Sequence, residues 1–422
     1  MTAVTIPFDG KPLSFEVPAA NLIEVLSPHQ SAPLADLDGA IAQALATPIG
    51  QPPLESWVKP RDSVLLVADD ITRLTPAERI IPPLLDRLNA AGIKDRQITC
   101  MIALGTHRYM TEAELKAKVG AAVFGRIRVV NHEWKDPAQL VNLGVSEHGT
   151  PLIVNRAAVE ADVVIGIGAV VPHHIPGFSG SSKIIQPGIC GFETTAETHL
   201  LSCSERDSLL GLEDNPVRRD LDSMAERIGM KTIFNVVMNS EGGVVGAFFG
   251  AMRPTFKKAV ELAREIYGIP YHATPDIVIA NSCPCDLDFW QSHKAQYPAQ
   301  RMVRQGGVII VCTPAPEGIS PVHTDLLDFT AWPAEDIKSA YRRGVIKDGV
   351  ATALAVAWAL VREKATVITY SPGIPPEHKE KLGHIHAASI DAALERAFHL
   401  LGPQARVTVL THAADMLPIK AF

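Results

Sequence analysis

The 422-residue sequence has no run of about 18 or more unbroken apolar residues, which excludes a conventional membrane-spanning helix. Its first residues, MTAVTIPFDGKPLSFEV, lack a positively charged start followed by an apolar core, so no secretion signal is expected and the reading is cytoplasmic. Aromatic residues make up only 6%, and no basic patch is interleaved with them. The formal charge of −7 is spread without long blocks of one sign, which excludes a nucleic-acid surface or an anionic membrane as the principal partner. Repeats and low-complexity segments are absent, so solenoids and disordered tails are excluded as well. Cysteines are few. The six, at 100, 190, 203, 283, 285 and 312, stand mostly in or beside apolar runs, where a thiol behaves as a small buried hydrophobe. Cys283-Pro284-Cys285 could supply half of a soft-metal site, but no second pair at zinc-finger spacing accompanies it, and the structural reading is preferred.

What the chain does have is alternation. Short β-branched runs at 63–69, 97–104, 126–132, 151–154, 162–171 and 232–238 alternate with helical stretches such as 75–91, opened by Thr75-Pro76 as cap and first helical residue, and 111–119. Strands this continuously apolar predict a mostly parallel sheet covered on both faces. A second cycle follows the proline-punctuated passage after Tyr267, with strands expected at 276–281, 307–312, 365–370 and 406–410. The fold class is therefore α/β, with two α/β domains, residues 1–270 and 271–422, and an active site expected in the cleft between them.

In open α/β sheets, ligands bind beyond the carboxyl ends of the strands. Chemistry collects at those places here. The first strand runs into Asp69-Asp70-Ile71-Thr72-Arg73, the second into Gly105-Thr106-His107, the fifth into Pro172-His173-His174, and the first strand of the second domain leads on to Gln291-Ser292-His293-Lys294. Taken singly, each has an ordinary structural role available: Asp70 as a cap paired with Arg73, and His174 and His293 as satisfied structural histidines. Taken together they make a site. An arginine fork suits a carboxylate, a lysine and a glutamine could complete the clamp, and two histidines suit proton transfer on opposite faces of one carbon.

The stretch HHIPGFSGSSKIIQPGI, residues 173–189, is a separate question. Glycines and serines can offer backbone N–H groups to an anion and Lys183 can add a charge, yet the spacing is not that of a Walker A loop. A plain turn with a surface lysine explains it equally well. His199, on a helix expected at 194–201, could bind a metal, although nothing adjacent completes a conventional ligand set.

In order and spacing, Asp70-Ile71-Thr72-Arg73, Gly105-Thr106-His107, His173 with Lys183 and His199 after it, and Gln291-x-x-Lys294 resemble the lactate racemase family of nickel-pincer nucleotide enzymes. The resemblance runs from about residue 60 to 300. It implies a racemase or epimerase that inverts the 2-carbon of a 2-hydroxy acid by hydride transfer through a 2-keto acid. The implied cofactor is a pyridinium-3-thioamide-5-thiocarboxylate mononucleotide carrying nickel, covalently attached at Lys183, with His199 as the protein's nickel ligand. His107 and His173 would be the acid/base pair, and Arg73, Gln291 and Lys294 the substrate-binding residues. Asp70, Thr72, Gly177, Ser179 and Gly180 would lie along the cofactor. The implied partners are the 2-hydroxy acid and the separate enzymes that make the cofactor, with a homo-oligomer left open.

Two departures stand out. Ser181-Ser182 occupy a place where the family carries a glycine pair, and Asp348-Gly349-Val350 stands where the lactate enzyme has a tryptophan, while Trp290 adds an aromatic group beside Gln291. The hydroxy acid is thus left unspecified. Two readings from other classes compete: a zinc-dependent hydrolase or lyase using the histidines as ligands, and a non-catalytic two-domain protein that binds a carboxylate.

Overall fold

Val64–Asp69 (VLLVAD) and Val163–Ala169 (VVIGIGA) show no polar alternation, and a strand of that kind has two apolar faces to cover. The computed structural model, which describes every residue except Pro321, Val322 and Phe422, buries both strands along their whole length. Helix Ala77–Ala90 lays Ile80, Ile81, Leu84, Leu85 and Leu88 into the same core as Leu66, Ile102 and Ile165. These helix positions recur at one-turn spacing, the pattern of a helix with one apolar face.

The chain divides into two units. One comprises residues 30–201 and 212–266, the other residues 1–29, 202–211 and 267–422. A single boundary near residue 270 lies beside the last of the four transitions, at 266/267. It does not describe the first 29 residues or the segment 202–211, which join the unit that holds the C-terminus.

In the first unit a six-stranded sheet runs Val244–Ala251, Thr232–Met238, Val163–Ala169, Val64–Asp69, Ile98–Ala103, Arg128–Asn131. Only the first pair is antiparallel. From Val64–Asp69 the chain goes outward to Ile98–Ala103 and Arg128–Asn131, then returns to Val163–Ala169 on the other side. That reversal makes the carboxyl ends of Val64–Asp69 and Val163–Ala169 a switch point, the place where such sheets open a crevice.

The second unit repeats the plan in an all-parallel sheet ordered Ile385–Ala387, Ala365–Tyr370, Gly307–Cys312, Ile277–Asn281, Val407–Leu410, Leu22–Leu26. Its switch point lies between Ile277–Asn281 and Val407–Leu410. The hairpin Thr2–Phe8/Lys11–Val17 packs Val4, Ile6, Phe15 and Val17 into the core of this unit.

Three local expectations change. Pro151–Asn155 is a strand, but it pairs antiparallel with Leu140–Val145 in a separate hairpin. Helix Ala77–Ala90 starts with Pro76 in the cap position, and the Thr75 hydroxyl donates to Asp69 Oδ2 (2.5 Å), so that side chain serves the strand end instead of capping the helix. The edge strands Val244–Ala251 and Leu22–Leu26 lie outside the strands expected from the sequence. Among the described residues no helix is long and apolar enough to cross a membrane, and no disulfide joins the six cysteines.

Candidate active site

Strand Val64–Asp69 ends in two acids that do different things. Asp69 is paired with the buried Lys118 (2.8 Å), whose Nζ also donates to the carbonyls of Arg73 (2.9 Å) and Thr75 (3.2 Å). The loop that carries Arg73 is thereby pinned from below. Asp70 faces the other way. Its Oδ1 accepts from the Thr72 N–H (3.2 Å) and hydroxyl (2.5 Å), and its Oδ2 lies 2.7 Å from His107 Nδ1. Burial alone would raise the Asp70 carboxyl. The hydrogen bond and charge of His107, with Arg73 and Thr72, outweigh it and hold the group well below the usual carboxylate range.

An ionised carboxylate only accepts, so His107 Nδ1 is the donor and the neutral ring carries its lone pair on Nε2. His107 itself is half-exposed. It sits just past a turn at Gly105, whose φ of +59° is left-handed and whose N–H donates to Gly188 O (2.9 Å), tying this strand end to the lysine loop. Arg73 is half-buried, its guanidinium donating to the Thr72 carbonyl (3.3 Å) and hydroxyl (3.1 Å).

After Val163–Ala169 the chain makes a small hairpin, Pro172–His173 against Gly177–Phe178. His173 stacks on His174 with centroids 4.8 Å apart, and its Nδ1 accepts from the Ile175 N–H (3.1 Å). The loop then plunges inward. From Ile175 to Pro187 every residue is buried except Lys183, which is half-exposed. The residues expected along a cofactor here have packing roles: the Ser179 hydroxyl donates to Ala169 O (2.7 Å) and accepts from the Val171 N–H (3.0 Å). Gly177 (φ +78°) has Leu212 O where a Cβ would stand, 1.7 Å away, and no other residue fits. Gly180 is equally enclosed, with Val170 Cγ2 at 2.6 Å from the same point.

His199 lies in helix Phe192–Leu201 and its Nδ1 donates to Thr195 O (2.6 Å), which sets the lone pair on Nε2. Burial holds its pKa down to about 4, the backbone hydrogen bond opposing and the charges of Lys183 and His107 adding to the depression. Lys183, His107 and His199 therefore share one neighbourhood. Among the described residues no three His, Cys, Asp or Glu side chains gather as a metal cluster.

In the second unit Asp288 caps a short helical turn by accepting from the Gln291 N–H (2.8 Å). Between Asp288 and Gln300 only Trp290, Gln291 and Lys294 are partly exposed, and helical spacing puts them on one face. Lys294 Nζ donates to Gln291 Oε1 (2.5 Å). Trp290 stacks on His323 (4.1 Å, 11°), which is paired with Asp348 (2.5 Å), itself the cap of helix Gly349–Lys364. His293 is buried and accepts from Trp358 Nε1 (2.9 Å), and burial holds it well below its ordinary pKa; it is structural, as the sequence suggests.

Sequence reasoning overlooked Lys118, Arg218 and Asp222 and noted Ser182 without a role. Lys118 sits in EAELKAKV, which reads as a solvated helix, and Arg218 in NPVRRD reads as a surface charge at a helix start. Neither carries a signal of burial.

The family described as lactate racemase N-terminal domain matches residues 8–211, and that described as lactate racemase C-terminal domain matches residues 271–417. A lactate racemase of Thermoanaerobacterium thermosaccharolyticum is 30% identical over 330 residues, 75% of this chain and 76% of its own length. That of Lactiplantibacillus plantarum is 26% identical over 420 residues, 97% and 98% of the two chains. The lactate racemase apoprotein structure from T. thermosaccharolyticum superposes with a TM-score of 0.89 at 25% identity over 99% of this chain and all of that one. A Thermotoga maritima structure shares the fold, with a TM-score of 0.69 at 21% identity over 91% of this chain and 98% of that one. The chain belongs to the lactate racemase family and is an isomerase of the racemase type.

Proposed function

We propose that the chain racemises lactate or a closely related 2-hydroxy acid, with a nickel-pincer nucleotide joined covalently to Lys183 and its nickel held by His199. One arrangement carries this reading: Lys183 is the single residue between Ile175 and Pro187 that is not buried, and its charge and that of His107 both act on His199. A lone imidazole with its lone pair set on Nε2 suits a metal whose other ligands come from a bound group, because the chain gathers no cluster of its own among the described residues. When bound, such a group supplies hydride exchange at the substrate's 2-carbon.

The remaining work belongs to side chains. His107 Nε2 takes the hydroxyl proton, and the ionised Asp70 at its Nδ1 stabilises the imidazolium that forms. His173 is the partner acid: in its neutral ring Nδ1 accepts from the Ile175 N–H, which puts the proton on Nε2, and uptake of a second proton at Nδ1 from solvent readies the Nε2 proton for transfer. For one enantiomer His107 is the base and His173 the acid, for the other the roles exchange, and solvent resets both rings between turnovers. Arg73, Gln291 and Lys294 bind the substrate carboxylate, and Asp70, Thr72, Gly177, Ser179 and Gly180 line the nucleotide. The cofactor itself comes from separate maturation enzymes.

The test is the intact mass and metal content of the protein purified from cells that also express enzymes making the cofactor. The expected result is an adduct that peptide mapping places on Lys183, one nickel per adduct, conversion of either lactate enantiomer to the mixture, and no adduct in Lys183→Ala. Stoichiometric zinc with no adduct on any lysine would overturn it in favour of a hydrolase or lyase.

A further inference from the structure

The loop that presents Lys183 is held from one side by helix Pro216–Arg227. Arg218 on that helix is buried, and its guanidinium donates through Nη2 to Phe178 O and through Nη1 to Ser182 Oγ (2.9 Å) and Gly180 O (3.5 Å). Four residues further along the helix, Asp222 Oδ1 accepts from the Ser182 hydroxyl (2.6 Å). Ser182 thus accepts from a cation and donates to an anion on consecutive turns of one helix, so its only hydroxyl hydrogen and its lone pair are both directed. Above the guanidinium lies the Phe256 ring, 4.4 Å away. Nε of Arg218 is buried with no hydrogen-bond partner among the described residues.

A buried guanidinium with one idle donor is a poor way to gain stability, since removing such a charge from water costs several kcal/mol, of order, that its contacts must offset. What the contacts share is their target. All three acceptors belong to the five residues immediately before Lys183, and that segment holds a backbone it would not adopt alone: Gly180 at φ +77° and then Ser181 at φ +52°, a left-handed conformation unusual for a residue with a side chain. Asn235 Oδ1 accepts the Ser181 N–H (3.1 Å) and completes the restraint. A glycine at 182 would leave both Arg218 Nη1 and Asp222 without the hydroxyl that joins them.

We propose that Arg218, Ser182 and Asp222 form a positioning device that fixes the direction of Lys183 for covalent attachment, with the Ser182 hydroxyl as its keystone. The inference rests on Lys183 being the attachment point. It concerns the placement of the amine, not its chemistry.

The experiment compares the parent with Ser182→Ala, Asp222→Ala, Asp222→Asn and Arg218→Met. Three quantities are read: the melting temperature, the fraction of chains with the adduct after co-expression with the cofactor-making enzymes, and the rate at which an amine-acylating reagent labels Lys183 in cofactor-free protein, by peptide mapping. Ser182→Ala removes one oxygen and should melt within about 3 °C of the parent, yet change the Lys183 labelling rate and lower adduct occupancy roughly ten-fold, the worth of one hydrogen bond to a charged group. Asp222→Asn keeps the accepting Oδ1 and should recover most of the loading that Asp222→Ala loses. Arg218→Met should load least; if it fails to fold, Ser182→Ala decides. Parent-like loading and labelling in a folded Ser182→Ala variant would overturn the proposal. Absence of any adduct in the parent would instead overturn the attachment at Lys183, and an unchanged Lys183 labelling rate across the variants would then overturn the positioning device as well.

Discussion

The two units are built on one plan and use it differently. Each is a six-stranded sheet in which the chain runs outward from a central strand and returns on its other side. In the first unit two of the groups proposed for proton transfer follow strand ends closely: Asp70 is the residue after Val64–Asp69, and His107 stands four residues after Ile98–Ala103. In the second, Gln291 and Lys294 come ten or more residues after Ile277–Asn281, on a separate helical turn. In the proposed function, groups that move a proton gain from the sub-ångström placement that a strand end gives, whereas Gln291 and Lys294, proposed to hold a carboxylate, can tolerate the latitude of a side helix. The difference teaches that a switch point only offers a site; the length of the following loop decides how rigidly the site is furnished.

This contrast can be broken by substitution. The largest effect is expected from His199→Ala, which should keep the adduct on Lys183 but lose nickel and all measurable racemisation, as read by intact mass, metal analysis and chiral chromatography. Full activity in that variant would remove the first unit's claim to the chemistry. Next come His107→Ala and His173→Ala, each lowering interconversion by about 10²–10⁴-fold, with one enantiomer still oxidised in a single turnover by each variant and little change in binding. Equal slowing for both enantiomers in both variants would end the division of labour by face.

Lys294→Ala should act on KM, raising it about 10–100-fold with kcat far less affected, because it removes a charge-assisted contact to a carboxylate that is the same in substrate and transition state. A kcat effect as large as that of His107→Ala would erase the distinction between the units. The smallest effect concerns Asp415, in the loop after Val407–Leu410, which burial raises to about 6 against the opposing charge of Lys294. The unfolded carboxyl ionises near 4, so the protonated form is favoured in the fold and stability falls as pH rises from about 4 to about 6. Asp415→Asn should therefore raise the melting temperature by a few degrees at pH 7.5 and leave it unchanged at pH 4, measured by calorimetry.

Much of this was legible in the sequence because the central strands are apolar throughout and the residues after them are not. Val64–Asp69 into Asp70 and Val163–Ala169 into His173 are such transitions, and a parallel sheet follows from them. Not every edge strand was legible: Leu22–Leu26 is only partly buried and alternates weakly, and its partner is distant in sequence. Nor were Lys118 and Arg218, since a charged residue is read as solvated unless its acceptors are known, and theirs are mostly backbone carbonyls and a hydroxyl supplied by loops. The partners of Ser179 were not legible for a related reason: its hydroxyl bonds to nearby backbone, which composition alone does not reveal.

Strand Leu22–Leu26 closes the sheet of the second unit beside Val407–Leu410, and Thr411 Oγ1 donates to Ser27 Oγ (2.9 Å) across 384 residues of chain. During synthesis this strand emerges early and its partner almost last. Residues 30–201 can form most of their own sheet while Leu22–Leu26 waits for Val407–Leu410, and non-local pairing of this kind is slow because the loop between the partners must close first. The N-terminal segment is thus the natural target for a chaperone on the nascent chain and the last piece to lock, so its protection from hydrogen exchange in refolding should appear after that of Val64–Asp69.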